Sequence, residues 1–242
     1  MIMTTTTTMI TATPMTTEAA LYRMLLWMSP SYPIGGFSYS HGIEAAVEAK
    51  RLRDAADLAD WVETVLLGGA GAIDAALFAM AYRAAEAGDA EALNQIADSA
   101  EVWRGTEELA LESSQQGASF LAISNAAWPT PALSRFTVER GGEAALPVAV
   151  AVNAVAHAIP LRVALHGYLT GFVANLVSAG LRAIPLGQTA AQIALAKLEP
   201  AVTAAVDAGL AVSDLDQVGA AAPGLDLFSI THETQYTRLF RS

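Results

Sequence analysis

Residues 54–69, DAADLADWVETVLLGG, decide the fold class. Large apolar side chains recur in them at the three- and four-residue spacing of one helical face: Leu58, Trp61, Val62, Val65 and Leu66. Acidic residues occupy the opposite face: Asp57, Asp60 and Glu63. Asp54 is a favoured helix cap, and the pair Gly68-Gly69 is a typical helix end. The stretch therefore predicts an amphipathic α-helix.

The same spacing recurs along the chain, mostly with Ala and Leu as the apolar residues. It predicts further helices over residues 19–28, 41–51, 72–87, 89–97, 99–127, 160–182 and 187–208. Pro160 falls in a first turn, and Pro200 predicts a kink. Residues 148–152 alternate Val and Ala as a strand would, but the apolar run is longer than a usual strand, and we predict a helix. An all-α, single-domain multi-helix bundle over residues 18–228 follows.

Two terminal segments are set apart from this domain. The leader, residues 1–17, is Thr-rich and expected to be disordered, and it lacks the basic start and continuous apolar stretch of a signal peptide. The tail, residues 229–242, ends in HETQYTRLFRS, which is dense in aromatic residues and arginine. Its residues Tyr236, Leu239 and Phe240 are spaced to share one face of a short helix. That helix is either an anchor for another subunit or an element docked on the chain's own core.

The composition excludes several classes of function. The formal net charge is −11, from 13 basic and 24 acidic residues, and no basic stripe offers a surface for nucleic acid. No cysteine occurs, which excludes disulfides and thiolate metal sites and fits a cytoplasmic protein. The apolar run over residues 144–165 approaches the length of a membrane span. Because prolines and polar residues interrupt it, we predict a buried helix pair and no membrane association.

The loop, residues 29–44, reads SPSYPIGGFSYSHGIE. Its two prolines and two adjacent glycines forbid a continuous helix. We predict a sharp turn with a positive φ at Gly35 or Gly36. Phe37 is expected to be buried beneath this turn, and serine hydroxyls are expected to cap a helix that begins near His41.

No catalytic or metal-binding set emerges from the sequence. The segment around Ser38 resembles a nucleophile elbow, but its fifth position is serine instead of glycine and no strand precedes it. No two histidines are three or four residues apart, and His157 is predicted to be a satisfied core residue. Glu107, Glu108 and Glu112 are interpreted as a solvated helix face. We therefore predict no catalytic, cofactor or metal site.

The loop and the end of the tail together resemble the UreF family of urease accessory proteins. Members of that family open on Ser-Pro-x-x-Pro-x-Gly-x-Phe-Ser-x-Ser-x-Gly-x-Glu and close on His-Glu-x-x-Tyr-x-Arg-Leu-Phe-x-Ser. A third segment, NLVS at residues 175–178 leading through Arg182 to IPLGQT at residues 184–189, is also similar to the family. The resemblance covers roughly residues 20 to 242.

The resemblance implies an all-helical, dimeric adaptor that is not an enzyme and holds no cofactor. It further implies binding to the accessory protein UreD, also called UreH, recruitment of the GTPase UreG, and engagement of apo-urease during nickel delivery. The candidate partner-binding residues belong to the loop and the tail: Pro33, Gly35, Phe37, Ser38, Ser40, His41, Glu44, His232, Glu233, Tyr236, Arg238, Leu239, Phe240 and Arg241. Two rival functions remain open: a direct nickel carrier using His41 and His232, and a stand-alone helical hydrolase using Ser38 or His41.

Self-association has a candidate surface of its own. The predicted helix over residues 160–182 carries Tyr168, Phe172 and Leu176 at four-residue spacing, beside small residues that allow close helix approach. This stripe forms either a homodimer contact or part of the intramolecular core.

Overall fold

The computed structural model describes residues 17–241, and these form eleven α-helices and two short 3₁₀ turns, Gly36–Ser38 and Leu215–Gln217. The helices are α1 Thr17–Trp27, α2 Ile43–Glu48, α3 Ala55–Gly68, α4 Ala70–Ala87, α5 Ala90–Val102, α6 Glu107–Ala127, α7 Pro131–Glu139, α8 Leu146–Ala156, α9 Leu161–Ala183, α10 Gln188–Ala211 and α11 Pro223–Glu233. The described residues contain no strand, and the predicted all-α class is confirmed. The predicted disorder of the leader lies outside the described residues, except at Thr17, which begins α1.

Helix α3 forms where the sequence predicts it. The side chain of Asp54 accepts hydrogen bonds from the backbone N–H groups of Ala56 (2.9 Å) and Asp57 (3.0 Å), and thereby caps the helix start. The predicted apolar face is buried at Leu58, Val62, Val65 and Leu66. This face fastens α3 to α4, α9 and α10.

Helices α4 and α8 lie at the centre of the molecule. Helix α4 contacts α3, α5, α8, α9 and α10, while α8 contacts α4, α5, α6, α7 and α9. Most residues of both helices are buried. The helix predicted over residues 148–152 is confirmed, and the apolar run over residues 144–165 forms α8, a turn and the start of α9 instead of one continuous span.

One stretch, Ala55–Ala87, is long and apolar enough to cross a membrane by length and composition alone. It consists of two helices, because α3 ends at Gly68 and α4 begins at Ala70. Of its most apolar window, 67% is buried inside the protein. Core helices of soluble proteins meet the same criterion, and burial in the core accounts for the composition of this stretch.

A buried polar cluster ties the centre of the fold to the turn between α5 and α6. Arg104 donates to Asp74 (Nη1 to Oδ1, 2.6 Å) and to the Ser113 hydroxyl (2.9 Å), and Tyr168 donates to the second oxygen of Asp74. Burial and the neighbouring Asp74 carboxylate raise the pKa of Tyr168 well above its usual value, so that this phenol stays a donor. The cluster holds α4, α6, α9 and the α5–α6 turn in one arrangement.

The structure corrects two predicted helix boundaries. The helix predicted over residues 99–127 is divided, because α5 ends at Val102 and Thr106 caps a new helix by accepting the N–H of Leu109 (3.3 Å). Helix α2 begins at Ile43, because the φ angles of His41 and Gly42 are 52° and 74° and cannot belong to a right-handed helix.

The predicted serine cap of that helix is wrong. Gly42 occupies the cap position, and no side chain caps it. Helical spacing in the sequence also fails to predict α7 and α11. Both helices are short, and proline occupies the first helical position of each.

The stripe considered for dimerisation faces the chain's own core. This agrees with the alternative interpretation, in which the stripe is part of the intramolecular core. Tyr168 is 3% exposed and Leu176 is 2% exposed, because they pack against α4 and the underside of the loop. Phe172 is half-buried and meets the ring of His41 edge-on at 5.2 Å between centroids. Two of the three residues of the stripe are therefore unavailable to a second copy.

Candidate partner-binding site

The loop and the tail, which are far apart in the sequence, lie against each other. The carboxylate of Glu44 accepts the backbone N–H groups of Leu239 (Oε1, 2.7 Å) and Phe240 (Oε2, 2.9 Å). The N–H of Arg241 donates to the carbonyl oxygen of Ser38 (2.7 Å). The Phe240 side chain is only 4% exposed. The end of the tail is thus docked on the loop by its backbone and by one aromatic ring.

The prediction that Tyr236, Leu239 and Phe240 share a helical face is wrong. Helix α11 ends at Glu233, and the residues after it form turns and extended chain. The physical reason lies in Glu44, which takes the N–H groups that a helix would pair with its own carbonyls. Neighbouring residues of the tail consequently point in opposite directions.

A buried histidine joins the tail to two helices. His232 is fully buried, with Nδ1 at 2.8 Å from Glu108 Oε2 and Nε2 at 3.2 Å from Glu44 Oε2. Arg238 donates to the other oxygen of Glu108 (3.0 Å). An imidazole whose two nitrogens both face carboxylate oxygens satisfies both contacts only when each nitrogen carries a hydrogen. This arrangement links α2, α6, α11 and the tail through charged groups.

The interpretation of Glu108 and Glu112 as a solvated helix face is wrong, because each is paired with a histidine. Glu108 binds His232, and Glu112 Oε2 lies 3.0 Å from His41 Nε2. Glu107 is exposed, as predicted. Within residues 17–241, no group of three or more His, Cys, Asp or Glu side chains is arranged to hold a metal ion.

The loop exposes its phenylalanine and buries its tyrosines. Phe37 is 65% exposed, so the prediction that it lies beneath the loop is wrong. Tyr32 and Tyr39 fill that space instead, and their hydroxyls bond to Ser124 (2.9 Å) and Gln115 (2.8 Å). The predicted positive φ is confirmed at Gly35, at 76°.

Two further side chains of the tail are exposed. Leu239 is 64% exposed, and Tyr236 is fully exposed. With Phe37 and three arginines they form what we call the loop–tail surface: Phe37, Tyr236, Leu239, Arg182, Arg238 and Arg241. Exposed apolar side chains on a fixed backbone are typical of contact sites between proteins.

Arg182 is a site residue that reasoning from the loop and tail motifs misses. Its Nη1 donates to the carbonyl oxygen of Phe37 (2.6 Å), and its guanidinium carbon lies 4.5 Å from the centre of the Phe240 ring. Arg182 therefore clamps the loop and the tail from α9. The sequence carries a signal for it, since Arg182 belongs to the third segment that is similar to the UreF family.

The remaining candidate residues divide between surface and interior. Pro33 is exposed and Glu233 is half-buried, while the side chain of Ser40 is fully buried. Ser40 and His41 therefore support the loop from within and do not offer a surface to a partner. Ser38 takes part through its carbonyl oxygen, which accepts from Arg241.

The buried polar cluster supports this site from below. Arg104 anchors the turn before α6, and Thr106 in that turn shares a hydrogen bond with Ser229 of α11 (2.8 Å). The same turn places Glu108 next to His232. Sequence spacing gives no indication of this support, because its members come from distant helices.

Comparison with known proteins agrees with the motifs. The UreF family model matches residues 52–199. The urease accessory protein UreF of Granulibacter bethesdensis is 50% identical over 230 residues, covering 95% of this chain and 97% of the relative. A protein of the same name from Rhodopseudomonas palustris strain HaA2 is 47% identical, and the alignment covers 96% of this chain and 98% of the relative. Another, from Bradyrhizobium diazoefficiens, is also 47% identical, with 93% of this chain and 92% of the relative covered.

The family model does not cover the loop or the tail, but the alignments with these relatives extend over nearly the whole chain. The resemblance in the two motifs is therefore confirmed by similarity along the chain. The chain belongs to the UreF family of urease accessory proteins.

Proposed function

We propose that this chain is a non-enzymatic adaptor of urease maturation, whose loop–tail surface docks other maturation proteins. Family membership gives it a part in urease maturation. The partners proposed from the resemblance are UreD (UreH), the GTPase UreG and apo-urease, and the proposed location is the cytoplasm.

One observation carries the proposal: apolar side chains are exposed on a backbone that side-chain hydrogen bonds hold in place. Phe37 and Leu239 face solvent, while the N–H groups of Leu239 and Phe240 are fixed by Glu44. Holding a contact residue in place before binding reduces the conformational entropy lost on association. A surface of this kind suits recognition of a protein.

The two histidines of the nickel-carrier alternative are engaged elsewhere. His232 lies between Glu44 and Glu108 with no exposed surface, and His41 pairs with Glu112. Binding of a metal ion at either ring would break these pairs. The geometry therefore favours an adaptor over a nickel carrier or a hydrolase that uses His41.

Self-association is proposed through α1 in place of the buried stripe. Three of its large side chains are exposed, Leu21, Tyr22 and Leu25, whereas Met24 and Trp27 on the other side are buried. Val163 of α9, which packs beside α1, is also exposed. A two-fold contact between such faces would cover them in both copies at once.

The adaptor proposal predicts a loss of binding without a loss of folding. We expect Phe37→Ala and Leu239→Ala each to weaken binding to purified UreD or UreG by about 1–2 kcal/mol, because exposed anchors of an interface contribute on this scale. Binding is measured by calorimetry on the full chain. Val138→Ala on α7 is the matched control, since Val138 is as exposed but lies outside the loop–tail surface. Unchanged affinity of both variants for both partners would contradict the proposal.

A further inference from the structure

Positive charge gathers at the loop–tail surface of an otherwise acidic chain. The whole chain carries a net charge of −11, yet Arg182 contacts the backbone of the exposed Phe37, and Arg238 and Arg241 lie beside the exposed Leu239 in the sequence. The Arg182 guanidinium donates to the carbonyl oxygen of Phe37, and the backbone N–H of Arg241 donates to that of Ser38, the next residue of the loop. Both arginines are thus attached to the same part of the loop.

Among the described residues, two of these arginines have no acidic partner. Arg182 donates to the carbonyl oxygens of Phe37 and Ser178, and Arg241 donates from its side chain to the amide oxygen of Gln115 (3.3 Å). Within residues 17–241, no side-chain carboxylate forms an ion pair with either arginine. By contrast, the ion pairs elsewhere in the fold include Arg53–Asp57, Arg104–Asp74, Arg140–Asp98 and Arg162–Asp207.

The nearby carboxylates are already committed to other groups. Glu44 accepts two backbone N–H groups of the tail and faces His232, Glu108 pairs with His232 and Arg238, and Glu112 pairs with His41. Turning Glu44 or Glu108 toward Arg182 or Arg241 would break contacts that dock the tail, and turning Glu112 would break its pair with His41. Burial lowers the pKa of Arg182, as expected for a cation that loses hydration without gaining a carboxylate.

We propose that the loop–tail surface binds an acidic segment of a partner protein, in which carboxylates flank an apolar or aromatic side chain. The carboxylates pair with Arg182 and Arg241, and the apolar side chain packs between Phe37 and Leu239. Guanidinium groups suit this task, since they hold carboxylates by two parallel hydrogen bonds and stay charged. The proposal rests on the adaptor function and adds to it the chemistry of the bound segment.

Other occupants fit the charge distribution less well. The phosphates of a nucleic acid would be repelled by the negative net charge of the protein. A second copy of the chain would place one loop–tail surface against another, and the arginines of the two copies would repel each other.

The test uses the full chain with purified UreD and purified UreG, and it compares single variants. Arg241→Gln removes a charge whose guanidinium donates to the amide oxygen of Gln115, and Arg182→Gln removes the clamp between loop and tail. Arg135→Gln on α7 is the control, because Arg135 is exposed and lies outside this surface. Thermal melting of each variant checks that the fold is retained.

We expect Arg241→Gln and Arg182→Gln to weaken binding of one partner at least about fivefold near 50 mM salt, while Arg135→Gln has no effect. The difference should shrink as salt is raised toward about 500 mM, because counterions screen exposed charges. Arg241→Glu should bind more weakly than Arg241→Gln. If Arg182→Gln alone loses its fold, Arg241→Gln and the salt series decide.

Three outcomes would overturn the proposal. If Phe37→Ala abolishes binding while the arginine variants bind like Arg135→Gln at every salt concentration, the surface is an adaptor site without acidic recognition. If all variants bind as the parent does, the adaptor function fails as well. If the arginine variants change only the sedimentation of the chain alone, the occupant is a second copy.

Discussion

The ring of His157 is held in one protonation state. Arg23 donates to Nδ1 (2.7 Å), so the hydrogen of the neutral ring is on Nε2, which faces the carbonyl oxygen of Trp128 (3.2 Å). Burial first, and the charge of Arg23 second, lower the pKa of His157 to about 4. The prediction of a satisfied core histidine is confirmed, but its partners come from α1 and the end of α6, which the sequence does not bring together.

A dependence of stability on pH follows from this residue. Because the folded pKa of about 4 lies below the usual value of 6.5, the contribution is complete above pH 6.5 and is lost as the pH falls toward 4. The difference corresponds to at most about 3 kcal/mol of unfolding free energy, because solvent partly screens the ring. His157→Gln should lose less stability than the parent over this range. Urea unfolding at several pH values measures this loss of unfolding free energy, and equal losses in both proteins would contradict the prediction.

At the scale of elements, the tail is the part that its own sequence describes least well. The spacing of Tyr236, Leu239 and Phe240 indicates a helix. The backbone follows another path because Glu44 on α2 accepts the N–H groups of Leu239 and Phe240. Composition also leaves two roles open for the tail, an anchor or a self-docked element. The structure supports self-docking for Phe240, which faces the core, and leaves Leu239 free for a partner.

Adjacent residues of the tail should therefore respond oppositely to truncation. Phe240→Ala removes a buried ring and its contact with Arg182, and we expect it to lower the free energy of unfolding by about 2–4 kcal/mol. Leu239→Ala should change it by no more than about 0.5 kcal/mol. Thermal or urea unfolding of the free chain distinguishes the two. Similar losses for both variants would show that Leu239 also packs on the core.

For the whole molecule, the fold class was open to prediction because helical periodicity is a local property. The apolar face of α3 is where that periodicity places it, whereas α8 is predicted by the length of its apolar run and not by its spacing. The close approach of α6 to the segment just before α8 was not predictable, although it requires glycine: a Cβ at Gly117 would lie 1.8 Å from the carbonyl oxygen of Ala144. Such requirements arise between segments that meet only when the chain folds. The exposure of Phe37 and the contact of Arg182 with the loop and the tail arise in the same way.

Association of the whole molecule should depend on α1. Tyr22→Arg or Leu25→Arg places a charge on the exposed face of that helix, and we expect either variant to shift a dimer toward monomer, because a desolvated charge has no partner in a two-fold contact. Sedimentation velocity at about tens of micromolar protein measures the shift. Val138→Arg on α7 is the control. A parent chain that sediments as a monomer would refute the α1 dimer.

The contact between Glu44 and the tail also has a consequence for synthesis of the chain. Glu44 is separated from Leu239 by 195 positions, so the ribosome makes the acceptor long before its donors. Until residue 240 has emerged, a nascent chain has α2 and most of the core but no loop–tail surface. A truncated chain that ends before residue 240 would form its helices but could not bind the partners of the intact protein.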